Sequence, residues 1–95
     1  MKSVTLTKQI TIDGKDYKKL NFDFESLTAK DFFTAERQAR GLGEITPNIQ
    51  WGLTYRVVVA VMCCKEPLKF EDIRDHCSFR DMSKIAELAA DFLQE

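Results

Sequence analysis

The feature that most constrains the fold is an Asp13-Gly14 dipeptide between two runs in which apolar and polar residues alternate. The runs cover about residues 3–12 and 17–24, and strand alternation sends neighbouring side chains to opposite faces. Asp-Gly suits a type I′ turn, because both central residues of that turn need a positive φ. The sequence therefore predicts an N-terminal β-hairpin.

The parity of the apolar positions adds a further constraint on this hairpin. A plain two-residue turn pairs Ile12 with Lys15, which places the apolar residues of the two strands on opposite faces. One extra loop residue or one β-bulge restores a common apolar face, with Leu6 near Phe22 and Val4 near Phe24. We predict this extra residue within residues 13–16.

After the hairpin, apolar residues recur at helical spacing. The predicted fold class is therefore α+β, with a hairpin and three to four helices in a single domain of residues 1–95. The Val57–Val59 run favours a strand by propensity, but the sixteen-residue length of its segment favours a helix. Trp51 and Tyr55 then share one face and are expected in the core. The predicted helices span residues 29–40, 49–64, 70–76 and 79–94.

Two helix starts carry the same capping pattern. Thr28 precedes Asp31 by three residues, and Ser78 precedes Asp81 by three residues. Both pairs predict a variant of the capping box with Asp in place of Glu. Gly41 is expected to end the first helix in a left-handed conformation.

Composition argues against several classes of function. The net charge is −1 and no basic stripe is present, so binding to nucleic acid is not expected. The longest apolar run has eight residues, whereas a membrane span needs about 20. No apolar segment follows Lys2 as a secretory signal requires, so a cytoplasmic location is expected.

Charge is distributed unevenly along the chain. Residues 1–20 carry five lysines and two aspartates, whereas residues 71–95 carry seven acidic residues against three arginines or lysines. Two solvated faces of opposite sign account for this pattern, and self-association through those faces is the alternative.

The residues that could carry chemistry do not form a convincing site. Cys63, Cys64, His76 and Cys77 are adjacent in pairs, whereas zinc ligands are usually separated by two to four residues so that both can converge. A Cys–His catalytic pair would need a lowered thiol pKa and an oxyanion hole, and the sequence indicates neither. We expect buried thiols, no metal or other cofactor, and no enzymatic activity.

Several aromatic residues look surplus to a small core. Phe32 and Phe33 are adjacent on a predicted helix, and Phe70 and Phe79 flank the short third helix. Either the core uses all of them, or some form an exposed apolar patch that marks a partner site.

Three segments together resemble a known family. They are VTLTKQITIDGKDY at residues 4–17, LNF at 20–22 leading into LTAKDFFTAE at 27–36, and FRDM at 79–82 with ADFL at 90–93. In this order they resemble the tail assembly chaperones of long-tailed phages, in the group related to Mu-like and P2-like phages. The resemblance covers essentially the whole chain, as a pattern of apolar positions and caps.

The resemblance implies a non-enzymatic chaperone of phage or prophage origin. Such proteins act in the bacterial host cytoplasm, bind the helical tape measure protein and are absent from the mature virion. A frameshifted longer form is thought to recruit the tail tube protein. The alternatives are a structural tail or baseplate subunit and a small protein-interaction adaptor.

A hypothetical contact set follows from this expectation. Charged replacements of Phe33 and Phe79 should leave folding intact and abolish solubilisation of the partner. The full contact set is Phe32, Phe33, Leu42, Phe70, Phe79 and Met82.

Overall fold

The computed structural model describes residues 1–94, which form an antiparallel β-hairpin followed by four α-helices. The predicted α+β fold is thus confirmed. Short 3₁₀ turns lie at Phe24–Ser26 and Ile49–Trp51. The elements are β1 (Lys2–Ile12), β2 (Lys15–Phe22), α1 (Ala29–Gly41), α2 (Leu53–Met62), α3 (Phe70–His76) and α4 (Phe79–Leu93).

The hairpin turn has two residues and no insertion. Asp13 and Gly14 take φ values of 52° and 80°, and Ile12 pairs with Lys15. The extra residue predicted within residues 13–16 is therefore absent, and that prediction is wrong. The positive φ of both central residues is what a type I′ turn requires.

The irregularity that restores a common apolar face lies in the middle of β1. Thr5 pairs with Lys19, but the next pair is Ile10 with Tyr17. Residues 6–9 of β1 therefore face residue 18 of β2, so that β1 holds three extra residues in this bulge. Val4 pairs with Leu20 instead of lying near Phe24, which corrects the predicted register.

The core is centred on α2, which packs against both α1 and α4. The four residues from Val57 to Ala60 are buried, together with Tyr55. Small side chains on the neighbouring helices, such as Ala35 on α1 and Ala89 on α4, allow close approach of the helix backbones. The apolar face of the hairpin joins the same buried cluster.

Of the two predicted capping boxes, only the one at the start of α1 forms. In α1, the Thr28 N–H donates to Asp31 Oδ2 at 2.8 Å, as the pattern predicts. In α4, the Asp81 N–H donates to Ser78 Oγ at 3.2 Å, but the Asp81 carboxylate does not accept the Ser78 N–H as a capping box requires. It is fully buried against the bulge of β1 and accepts from Thr7 and Lys8. The same local pattern therefore serves a cap in α1 and a tertiary contact in α4.

The end of α1 corrects the predicted role of Gly41. Gly41 is the last helical residue, and the positive φ of 104° belongs to Gly43. We expect Gly41→Ala to raise the free energy of unfolding by up to about 1 kcal/mol, because alanine loses less conformational entropy in a helix. Gly43→Ala should lower it by about 1 kcal/mol, because alanine is strained at this φ. Urea denaturation of both variants checks the prediction, and equal shifts would contradict it.

Candidate partner-binding groove

An open groove lies where the end of α1 meets α2, α3 and the first turn of α4. Its volume is about 200 Å³, and most of its lining is apolar, with one guanidinium group from Arg74. We call it the α2 groove. Its lining residues are Leu42, Leu53, Thr54, Val57, Phe70, Arg74 and Met82.

Exposed apolar side chains lie beside this groove, around the start of α2. Ile45, Trp51 and Leu53 are 88%, 63% and 41% exposed. We call these three residues the apolar shoulder. Leu53 belongs to both features, so that the shoulder and the α2 groove are continuous. Exposed large apolar side chains near a groove are typical of a partner site.

The loop that carries Ile45 is held in place by Glu44. Glu44 Oε1 accepts from the Thr54 N–H at 3.0 Å, and Glu44 Oε2 accepts from Thr46 Oγ1 at 2.7 Å. The Glu44 side chain also fills the space that a Cβ on Gly52 would need. The hydrogen bond from the Thr46 hydroxyl holds the pKa of Glu44 below its ordinary value, although burial opposes it. The carboxylate therefore stays ionised and ties the loop to the first turn of α2.

Arg40 fixes the same loop from the other side. Its guanidinium donates from Nη1 to Thr46 O at 2.7 Å and to Glu44 O at 3.2 Å, and from Nη2 to Pro47 O at 3.4 Å. A charged donor on three carbonyl oxygens restricts the backbone of the loop. Ile45 is therefore presented to solvent by a braced loop.

Trp51 is also held outside the core. The Arg56 guanidinium lies 5.5 Å from the centroid of the Trp51 ring, and Arg56 Nε donates to Gln50 O at 2.9 Å. The prediction that Trp51 packs in the core is wrong, because α2 begins at Leu53 and not at Ile49. Tryptophan is one of the residues that are enriched at binding hot spots.

The structure brings together three of the six predicted contact residues. Leu42, Phe70 and Met82 line the α2 groove, Phe70 from a buried position. Phe33 and Phe79 are 65% and 73% exposed, but neither lines the groove.

Phe32 is directed elsewhere in the molecule. Its ring stacks on Phe92 with a centroid distance of 6.2 Å, and Phe92 stacks on Phe24 at 5.3 Å. The sequence reasoning missed the apolar shoulder. The Pro47-Asn48 pair and Gly52 were the signals that the α2 helix starts late.

The thiols lie away from any ligand cluster. Within residues 1–94, no group of three His, Cys, Asp or Glu side chains is placed to hold a metal ion. Burial raises the pKa of Cys63 and Cys77 to about 11 and that of Cys64 to about 12. All three are therefore protonated at neutral pH and poor nucleophiles.

Among the described residues, no helix has both the length and the apolar character needed to cross a membrane. The fold and the groove define a small α+β domain with a braced apolar surface. Comparison of the chain with protein-family models, with curated proteins and with solved structures finds no match in any of the three.

Proposed function

We propose that this protein is a tail assembly chaperone of a long-tailed phage, and that it binds an amphipathic helix of the tape measure protein in the α2 groove. Two things support the proposal: the resemblance of the hairpin, first-helix and last-helix segments, and the shape of the groove. The observation that carries it is the apolar shoulder, whose side chains are held in solvent by polar contacts of Glu44, Arg40 and Arg56.

The geometry suits binding of a helix. An amphipathic helix presents apolar side chains at positions i, i+3, i+4 and i+7, and it buries them in an apolar groove of its partner. The α2 groove can receive one anchoring side chain, and the adjoining shoulder continues the contact along the helix. Arg56 and Arg74 flank this surface, so acidic residues beside the apolar stripe of the partner would strengthen binding.

The proposed role sets limits on affinity. A tape measure protein presents long apolar stripes that would aggregate if they were left uncovered. Many copies of a small domain with modest affinity per site can cover them and still be displaced by the tail tube. A longer form made by frameshifting would recruit the tail tube protein to the covered partner. On this proposal the protein acts in the bacterial host cytoplasm and leaves before the virion is complete.

The test is co-expression with the long, helix-rich protein encoded just downstream. We expect that partner to be insoluble alone and to become soluble and co-purify when both are expressed. A partner that stays insoluble, with nothing co-purifying, would contradict the proposal. Mass spectrometry of purified particles then separates a chaperone, which should be missing, from a structural tail or baseplate subunit, which should be present.

A further inference from the structure

The outer edges of the two-stranded sheet are closed by polar contacts at two places. On β2, the Asn21 N–H donates to Glu66 Oε1 and the Lys65 N–H donates to Asn21 O, both at 2.8 Å. On β1, Asp81 accepts the N–H groups of the bulge. Closing an edge in this way prevents pairing with another strand.

The part of β1 that precedes the bulge has an open outer edge. Because the main chain of Asn21 points away from β1, that of its partner Ser3 points away from β2. Thr5 lies two residues further and has the same orientation. Ser3 and Thr5 are exposed, and an open groove of about 360 Å³ runs beside them. This edge groove is therefore shaped to receive an additional strand.

The other wall of the edge groove is a stripe of α4. Lys84, Glu87, Leu88 and Asp91 line it, at the spacing that places residues on one side of a helix. The stripe has the cation Lys84 at one end and the anion Asp91 at the other, with Glu87 and Leu88 between them. Its two ends are complementary to each other when two copies run in opposite directions.

We propose that a second copy of this chain occupies the edge groove, and that the protein forms a two-fold symmetric dimer. β1 pairs antiparallel with β1 of the second copy about Val4, which gives a four-stranded sheet in the order β2-β1-β1-β2. Beneath it the two α4 helices run antiparallel, so that Lys84 of each copy meets Asp91 of the other and the Leu88 side chains meet near the axis. The pairing extends the two-stranded sheet and satisfies the outward main-chain groups of Ser3 and Thr5 in both copies.

The dimer does not depend on the proposed function, because the edge groove shares no residue with the α2 groove. The two proposals can therefore fail separately. If both hold, the dimer carries two α2 grooves and binds a repetitive partner bivalently.

Sedimentation equilibrium of the purified chain tests the dimer. We expect a monomer–dimer equilibrium with a Kd on the order of micromolar, as a small interface allows. Thr5→Pro should give a monomer at all concentrations, since proline removes the outward N–H and leaves the pairing with β2 intact. Ser3→Pro is a second variant of the same kind. Thermal unfolding of each variant is the control that checks whether the fold is retained.

A charge-reversal cycle tests the helix stripe. Lys84→Asp and Asp91→Lys should each raise the Kd by roughly 10-fold, because each contact occurs twice by symmetry. Lys84 Nζ also lies 4.0 Å from Asp81 Oδ1 of its own chain, so thermal unfolding of Lys84→Asp is measured beside its Kd. The double variant should return the Kd to near the original value, since the reversed pair attracts again. Lys30→Asp, on the exposed surface of α1, is the matched control and should leave the Kd unchanged.

Three outcomes would overturn the proposal. One is a wild-type chain that stays monomeric up to about millimolar concentration, above any Kd of biological use. Another is a dimer that survives both proline variants and both charge reversals, which would place the interface elsewhere. The third is a monomer whose β1 edge is protected from hydrogen exchange only when a different protein is added.

Discussion

Asp81→Ala is expected to lower the free energy of unfolding by about 2–4 kcal/mol, because hydrogen bonds to a charged group contribute about 1.5–3 kcal/mol each and are not additive. Urea denaturation followed by circular dichroism measures it. Domains of this size are stable by about 5–15 kcal/mol, so this loss is a large fraction of the total. An unchanged midpoint would show that the carboxylate does not hold the bulge.

The expected loss follows from what Asp81 accepts. The Thr7 N–H lies 2.9 Å and 3.0 Å from its two oxygens, the Thr7 hydroxyl donates at 2.9 Å, and the Lys8 N–H donates at 3.2 Å. Alanine would leave these donors without their acceptor at a part-buried site, where water can replace only some of the lost bonds. Each unsatisfied group costs about 1–3 kcal/mol, and the terms are not additive. The bulge of β1 and the start of α4 would therefore separate together.

Asp31→Ala is the matched control, since Asp31 occupies the same N3 position in α1. Its bond from the Thr28 N–H is exposed to solvent, and water can replace it. We expect a loss of about 1 kcal/mol, as for other helix caps. Equal losses at Asp31 and Asp81 would mean that both act only as caps.

The pH dependence of stability follows from the same carboxylate. Burial alone would raise the pKa of Asp81, but the hydrogen bonds from Thr7 and Lys8 outweigh it, so the folded pKa lies below the ordinary value of 3.8. Its stabilisation is thus complete above the unfolded pKa and is lost as the pH falls through the folded pKa. The difference in unfolding free energy between the wild type and Asp81→Asn should shrink below pH 3.8. A constant difference would contradict this assignment.

The sequence predicted the secondary-structure elements more accurately than the contacts between them. Alternation around Asp13-Gly14 identified the hairpin, because the period of two and the turn chemistry are both local. Parity showed that one strand needs extra residues, but it could not place them, since any odd insertion restores the common face. The bulge lies where Asp81 provides acceptors, and these are 74 residues away along the chain from Thr7. A side chain that is distant in sequence thus decided a local feature.

In the candidate site, too, the sequence predicted some residues and missed others. Leu42, Phe70 and Met82 were predictable because they lie at the ends or edges of apolar helix faces. Trp51 was not, because the start of α2 depends on Glu44 packing against Gly52 and binding the Thr54 N–H. The local sequence pattern alone favoured one long helix that begins at Ile49. In that helix the Trp51 ring would face the core.

Replacing two residues of the apolar shoulder, Trp51→Ala with Leu53→Glu, is expected to abolish partner binding and leave the fold intact. Trp51 is 63% exposed and Leu53 is 41% exposed, and neither belongs to the buried core, so the double replacement should leave the core in place. Interface aromatic anchors contribute about 2 kcal/mol or more on truncation, and a carboxylate at position 53 that must be desolvated against an apolar partner adds to the cost. The Kd for the tape measure protein should rise by at least about 100-fold. Pull-down after co-expression, with thermal unfolding of the variant alone, measures both effects.

Phe33→Glu is the matched control for this experiment. Phe33 is about as exposed as Trp51, but it lies on α1 outside the α2 groove. Because Phe33 does not line the groove, we replace the sequence-based expectation that a charge at Phe33 abolishes solubilisation. This variant should solubilise the partner as the wild type does, because a charge there leaves the groove and the shoulder unchanged. The reverse result, with binding lost in Phe33→Glu and kept in the double variant, would place the contact on the outer face of α1. The groove would then be a structural cleft, since a surface that binds a helix must lose affinity when its aromatic anchor is removed.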